Sequence, residues 1–377
     1  MEVNRIELED RAFGESLAEL EIGGTTISLP QPMITNTDRN YADKITQAYL
    51  SNSITFPHGI QENRWVWGKN SIDEAMHSKE KRDSLLSWLG EQKEKSQAKA
   101  FVFTPLFNND VILSKSVIRF FRRIQIEAEV SFVNEIDNPA FTPQQTKEML
   151  TEAAKEIEDR ASGKTKELLL FIKASSNERI FEQKQQTALE IARGTTVLYA
   201  DPRKYFGNFI TLASLHNKDY LRILSNVPKS HPKHSKPAVL PNSLLIADTF
   251  SLERGRGGSN KNDEKKRKHN ARTNVRRFTE GVCGYLRPAD HKKEYGDVLN
   301  CPCPIEEGKD LDDVLIEYRE ELFPAFAIHN ASSIYQTVAD TRQVMESGES
   351  AISHLKTKKY AQTVLTDLFQ VGQKQLG

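Results

Sequence analysis

Through its middle the chain repeats a pattern that few architectures can use: a short apolar run, a segment of helical composition, then another apolar run. The runs are Ala100–Thr104 (AFVFT), Glu129–Val133 (EVSFV), Leu168–Ile172 (LLLFI), Thr196–Tyr199 (TVLY), Leu221–Leu224 (LRIL) and Leu244–Ala247 (LLIA). Most are nearly continuous in apolar residues and too short for helices, the mark of strands covered on both faces. Between them, Ser114–Ile124 places Val117, Phe120, Phe121 and Ile124 on one helical face. Pro143–Ala161 is rich in good helix formers, and Ile180–Ala192 is similar. Its start is marked by Thr142 as cap, Pro143 at the first helical position and Gln145 completing a capping box. Strand–helix alternation implies parallel strands joined by crossover helices. That leaves a doubly wound α/β sheet or a TIM-type (β/α)8 barrel. No GxGxxG follows a first strand, which weighs against a dinucleotide-binding sheet, and the spacing favours the barrel.

The composition then changes. Leu252–Arg277 holds ten Lys or Arg against three acids and almost no apolar residue, so it predicts a cationic loop rather than a core element. Lys265, Lys266, Arg267, Lys268, Arg272, Arg276 and Arg277 are its candidates for phosphate binding. The alternative is a solvated insertion. The whole chain balances 52 basic against 52 acidic residues, which excludes a uniformly basic coat protein but permits a local patch. From Leu311 onward the sequence reads as helical, with Gly348 a stop signal and a last helix around Tyr360–Val371. The expected division is a barrel over 1–250, a basic connecting insertion over 251–299 and a C-terminal subdomain over 300–377.

In parallel α/β folds chemistry gathers at the C-terminal ends of strands. Asp137 follows EVSFVNEI, Asp201 follows TVLYA, and Asp248 follows SLLIA. A carboxylate so placed can act as nucleophile, acid, base or hydrogen-bond acceptor, or simply cap the next helix. Asp248 is the strongest candidate, since its run is wholly apolar and the cationic segment begins just beyond it. Cys301 and Cys303 form a C-x-C, with Glu306 and His329 downstream; thiolates and imidazole are zinc ligands, and a closed site needs four donors. The alternative is two partly buried thiols and a histidine at a helix start. Three cysteines fit a reducing compartment. No apolar stretch approaches the roughly 20 residues of a membrane span, and the acidic, polar start lacks a secretory signal. A soluble cytoplasmic protein is the expectation.

Taken together, these residues resemble the guanine transglycosylases, which insert 7-deazaguanines into nucleic acids. LNCPCPIEE followed by AFAIHNASSIYQTVADTRQVMESGES is similar to that family's zinc segment, with Cys301, Cys303, His329, Asn330, Arg342 and Gly348 in matching places and Glu306 where the family has a third cysteine. SLLIADTFS resembles the strand that delivers the nucleophilic aspartate, which maps to Asp248. SKSVIRFFRRIQIEAEVSFVNEIDNP resembles the segment leading to the purine-reading aspartate, which maps to Asp137. TTISLPQPMIT resembles the N-terminal strand. The resemblance implies a TIM barrel with a structural zinc subdomain and exchange of guanine for a base such as 7-cyano-7-deazaguanine through an aspartyl-glycosyl intermediate. DNA is favoured over tRNA as the polymer, with partner proteins of a DNA-modification system. The chain departs from the family where FVFTPLF replaces an Asp-Ser-Gly motif and KASS replaces Gln-Gly-Gly. Those departures leave the general base unassigned and keep open a non-catalytic binding paralogue.

Overall fold

The computed structural model describes residues 2–6, 17–22, 24–108, 110–160, 167–173, 178–191, 196–201, 220–227, 247–252, 275–359, 361, 362 and 365. Three strands, β1 (Glu2–Ile6), β2 (Leu17–Ile22) and β3 (Thr25–Leu29), form a small antiparallel sheet. The main sheet contains β4 (Gln31–Pro32), β5 (Ile34–Thr35), β6 (Ile60–Trp67), β7 (Ala100–Phe107), β8 (Phe132–Ile136), β9 (Glu167–Lys173), β10 (Thr196–Asp201), β11 (Tyr220–Val227) and β12 (Thr249–Leu252). Alternating with them are α1 (Asn36–Tyr49), α2 (Lys69–His77), α3 (Lys79–Lys95), α4 (Lys115–Glu127), α5 (Pro143–Arg160) and α6 (Glu178–Ile191). A hairpin of β13 (Arg277–Thr279) and β14 (Gly284–Leu286) follows, then α7 (Pro288–Tyr295), α8 (Leu311–Glu317), α9 (Leu322–Glu346) and α10 (Ala351–Lys356). No helix among the described residues is long and apolar enough to cross a membrane.

The predicted crossover helices form where their sequence signals lie. Thr142 and Gln145 exchange hydrogen bonds at the start of α5, backbone N of each to side chain of the other, at 2.9 and 3.3 Å. Gly348 sits at φ +85° just past α9, and its N–H bonds Met345 O, a helix stop that favours glycine. The last helix expected around Tyr360–Val371 lies largely outside the described residues.

The main sheet is parallel throughout, in the order β4-β12-β11-β10-β9-β8-β7-β6-β5. Its two ends, β4 and β5, are consecutive pieces of one stretch parted only by Met33. The architecture is thus mixed α/β with parallel strands. The small antiparallel sheet lies against the N-terminal ends of β6 and β7: Ile27 touches the site where a Cβ on Gly59 would stand, 2.7 Å away, and Lys99 Nζ donates to Thr26 O. Gly59 is required there because any side chain would collide with β3.

One buried carboxylate ties distant strands together. Glu62 of β6 accepts from Thr104 Oγ1 of β7 and from Ser225 Oγ of β11, each at 2.7 Å. Arg64, two residues on and so on the same face, donates Nε to Glu62 Oε2 at 2.8 Å. It also reaches β12, through Nη2 to Ser251 Oγ and Nη1 to Leu252 O at 3.2 Å. In the sheet order β6 and β11 stand five places apart, which in a flat sheet is about 24 Å. A direct hydrogen bond between them requires the sheet to curl strongly.

The C-terminal segment shares its apolar packing with the sheet. Ile34 and α1's Ala42 and Ile45 pack with Leu299, Cys303, Ile305 and α9's Phe326. Leu224 and Phe250 pack with Phe278, Ile334 and Val338. These clusters run across both expected boundaries, near residues 250 and 300. His58, 3% exposed, lies with its ring 4.8 Å from that of Tyr335 in α9.

Two expectations follow from this packing. Glu62→Gln removes the charge that neutralises Arg64 inside the sheet and is expected to lower unfolding stability by about 3 kcal/mol, read by urea denaturation. Burial, seconded by the charge of Arg39, pushes His58 down to about 3. The folded chain therefore binds fewer protons than the unfolded one between pH 6.5 and 3. The stability from a neutral His58 is complete above pH 6.5 and is lost as pH falls, by about 2–3 kcal/mol at pH 4.5. His58→Phe is expected to flatten that part of the profile.

Candidate functional site

The four residues proposed from sequence as metal ligands do come together. Cys301, Cys303, Glu306 and His329 place one ligand atom each within 4.8 Å of all the others, a cluster that can hold a metal ion. Cys303, Glu306 and His329 are buried and Cys301 is half-buried. Local structure positions them: Glu306 N and Glu307 N both bond Cys303 O, folding residues 303–307 into a turn that turns Glu306 back towards the sulfurs. His329 comes from α9. It lies at the end of that helix's second turn rather than at a helix start, as the sequence suggested, because α9 begins already at Leu322.

The imidazole is set up to ligate. His329 Nε2 lies 3.0 Å from Phe278 O, and a carbonyl can only accept, so Nε2 carries the proton. Nδ1 faces Glu306 Oε1 at 3.2 Å and Cys303 Sγ at 3.5 Å, and in the neutral ring it offers its lone pair there. Two acceptors this close need a shared cation, and two sulfurs beside them suit a metal better than a proton. The thiols are already polarised: hydrogen bonding from Cys303, opposed by burial, holds Cys301 down at about 4, while that same bond and burial push Cys303 up. A dication held among them would keep both as thiolates. Cys301 and Cys303 also line a cavity of about 620 Å³, together with His291, Tyr295, Ser333 and Gln336, which offers a path to the cluster.

The outer contacts come from β13. Arg277 grips both Glu306 oxygens, Nε to Oε1 and Nη2 to Oε2, each at 2.6 Å. Phe278 supplies the carbonyl that orients His329, and its N–H donates to Asn330 Oδ1 at 2.6 Å. This corrects one assignment. Arg277 is 5% exposed and committed to Glu306, so it is not a phosphate ligand. Arg276 next to it is exposed. Lys265, Lys266, Arg267, Lys268 and Arg272 lie outside the described residues.

Asp248 is the larger correction. The strand begins at Thr249, so Asp248 stands at the N-terminal start of β12 and not at a strand's C-terminal end. Just past it in the strand, Phe250 packs with Phe278, Ile334 and Val338, and Ser251 faces Arg64. The carboxylate is 1% exposed and held by Arg222, which donates its backbone N to Oδ2 at 2.7 Å and Nη2 to Oδ1 at 3.0 Å. Backbone bonds from Asp248 N to Arg222 O and from Gln31 N to Asp248 O lock the position between β11 and β4. An acid clamped there stands at the opposite end of β12 from the strand's C-terminal end. The sequence reading placed the strand on the apolar run before Asp248, whereas the strand that pairs with β11 starts at Thr249.

Asp137 does follow a strand, β8, at its C-terminal end, and it is buried. It binds the buried Lys184 of α6 through both oxygens, at 2.9 and 3.1 Å, and accepts from Thr146 Oγ1 at 3.4 Å. Asp201 ends β10. The Glu62–Arg64 pair went unnoticed because the polar stretch QENR breaks IQENRWVW before its short WVW run; its signal was two charges two residues apart, which a strand puts on one face.

No family model matches this chain, and no curated protein matches it. Among solved structures, one that is similar in part comes from a study of the tryptophan synthase α2β2 complex of a hyperthermophile, Pyrococcus furiosus. It is 13% identical and covers 59% of this chain and 85% of that one, with a TM-score of 0.32.

Asp248→Asn is expected to act as a stability variant. It strips a buried ion pair of one charge, so unfolding stability should fall by about 3 kcal/mol in a chemical melt. An unchanged melting curve would show that Asp248 is not clamped as described.

Proposed function

We propose that this chain is a zinc-bearing (β/α)8 barrel that binds nucleic acid, duplex DNA first, as a non-catalytic relative of the guanine transglycosylases working beside partner proteins of a DNA-modification system. The observation that carries the reading is the placement of Asp248, buried against Arg222 at the N-terminal start of β12. A covalent aspartyl-glycosyl intermediate at that residue has no route to the strand ends.

Closure of the sheet into a barrel is supported by three features. β4 and β5 join as one strand, every pairing around the order is parallel, and Ser225 of β11 bonds Glu62 of β6. Counting β4 and β5 as one leaves eight strands, the number of a TIM barrel. Zinc is supported by the donor set and its dimensions. A tetrahedral ion at about 2.3 Å from sulfur and about 2.0 Å from nitrogen or oxygen puts S–N edges near 3.5 Å and N–O edges near 3.3 Å. Two of the six donor pairs, at 3.5 and 3.2 Å, match those edges, and all four donors lie within 4.8 Å of one another. Bound there, zinc would cross-link residues 301–306 to α9 and add folding stability, with no open position for chemistry. Affinity for the polymer rests on Lys265, Lys266, Arg267, Lys268 and Arg272, which follow β12 in sequence, and on exposed Arg276, four positions later in the chain. Each phosphate they neutralise releases counterions and steepens the salt dependence.

The test pairs binding with exchange. The chain is expected to bind duplex DNA with an affinity that falls steeply with salt. Alanine at Lys265, Lys266, Arg267 and Lys268 together should weaken it and lower the log–log slope by about 0.9 per lost phosphate contact. With labelled guanine or a 7-deazaguanine base supplied, neither DNA nor tRNA should gain label. Label that enters either polymer, and is lost in a folded Asp248→Asn chain, overturns the non-catalytic reading. Tighter binding of tRNA than of duplex DNA changes the polymer.

A further inference from the structure

Arg277 belongs to the metal centre. Resting on the metal reading above, we infer that Arg277 is a positioning residue for the bound ion: it balances the charge of the cluster and holds Glu306 to a single ligating oxygen.

The charge argument is arithmetic. Two thiolates and one carboxylate carry three negative charges, and a divalent ion returns two. The neutral imidazole adds none. The cluster is then left with one net negative charge. Glu306 and His329 are fully buried and Cys303 is 4% exposed, so water can offset that charge only from the side of half-buried Cys301. Arg277, itself 5% exposed, is the cation in contact, and it brings the sum to zero.

The geometric argument concerns denticity. A carboxylate left to itself can grip a metal with both oxygens. Here the guanidinium fork takes one site on each Glu306 oxygen, at 2.6 Å, and Oε1 is the oxygen 3.2 Å from His329 Nδ1. The fork is itself braced. Arg277 Nη1 donates to Phe278 O at 3.1 Å and to Thr279 Oγ1 at 3.3 Å, and it lies 3.4 Å from His291 Nδ1. One short strand therefore serves two ligands. Its Arg277 side chain orients Glu306, and its Phe278 carbonyl fixes the His329 tautomer. A carboxylate that stands as fourth ligand beside two cysteines needs such a partner, since its charge and its two oxygens must both be managed.

The experiment uses the full chain and zinc alone, competed against a chromophoric chelator, with the cobalt(II) form read by its visible spectrum. Arg277→Gln is expected to lower zinc affinity by about 10–100-fold. Its cobalt form should lose tetrahedral band intensity as Glu306 turns to a two-oxygen grip. Arg277→Lys keeps the charge without the fork, so it should recover affinity in part while its cobalt spectrum stays altered. That combination is not produced by a general loss of packing. A wild-type chain that takes up zinc, with Arg277→Gln doing so equally and with an unchanged cobalt spectrum, overturns the role of Arg277 alone. A wild-type chain that leaves zinc with the chelator overturns the metal reading and this role together. If Arg277→Gln does not fold, Arg277→Lys decides: wild-type affinity and spectrum in that variant overturn the proposal.

Discussion

Glu62 is where the architecture is tied. A carboxylate inside a sheet is costly to bury, and the structure offsets that cost with donors from β7, β11 and its own strand. Because Arg64 also reaches β12, four strands that are remote in the chain meet around one charge. Apolar contacts would let the sheet curl to a range of radii. A charge with fixed donors sets one curvature, since a shift of any strand leaves an ion or a hydroxyl unpaired in a place water does not reach.

A second principle organises the C-terminal half. Residues 301–306 and His329 belong to different elements, and nothing in their local propensities brings them together. The short strand β13 does so, offering a side chain to one ligand and a carbonyl to the other. α9 passes behind this strand, its Asn330 bonding Phe278 N and Arg276 O, so backbone and ligand positions are fixed together. The same strand immediately follows the cationic segment 253–274. The Cys301–Cys303–Glu306–His329 cluster and the start of the hairpin are thus one packed unit with the flank of the sheet, through Phe278 and Phe250.

Much of the scaffold was legible in the chain. The crossover helices α4, α5 and α6 formed where periodicity and the Thr142 capping box placed them, and strands β7 to β11 overlap the apolar runs. These signals are local, because a helix face or a buried strand records its environment in its own residue types. β6 escaped because its inward face carries Glu62 and Arg64, so its composition looked like surface. Asp248 was misread for the opposite reason: residues 244–247 are apolar, yet the strand that pairs with β11 begins at Thr249.

The sequence by itself determined the alternating α/β pattern, the helix starts and stops, and which four residues have the chemistry of metal ligands. Only the tertiary structure decided what each charged side chain does. Arg277 lies in a cationic run and so looks like a phosphate ligand, but its partner is Glu306, 29 positions away. Asp248 looks like a nucleophile, but Arg222, 26 positions away, holds it in a buried ion pair at the start of β12. Whether a charge is paired, buried or free depends on what folds against it, and that is a property of contacts between distant segments that no local window of residues contains.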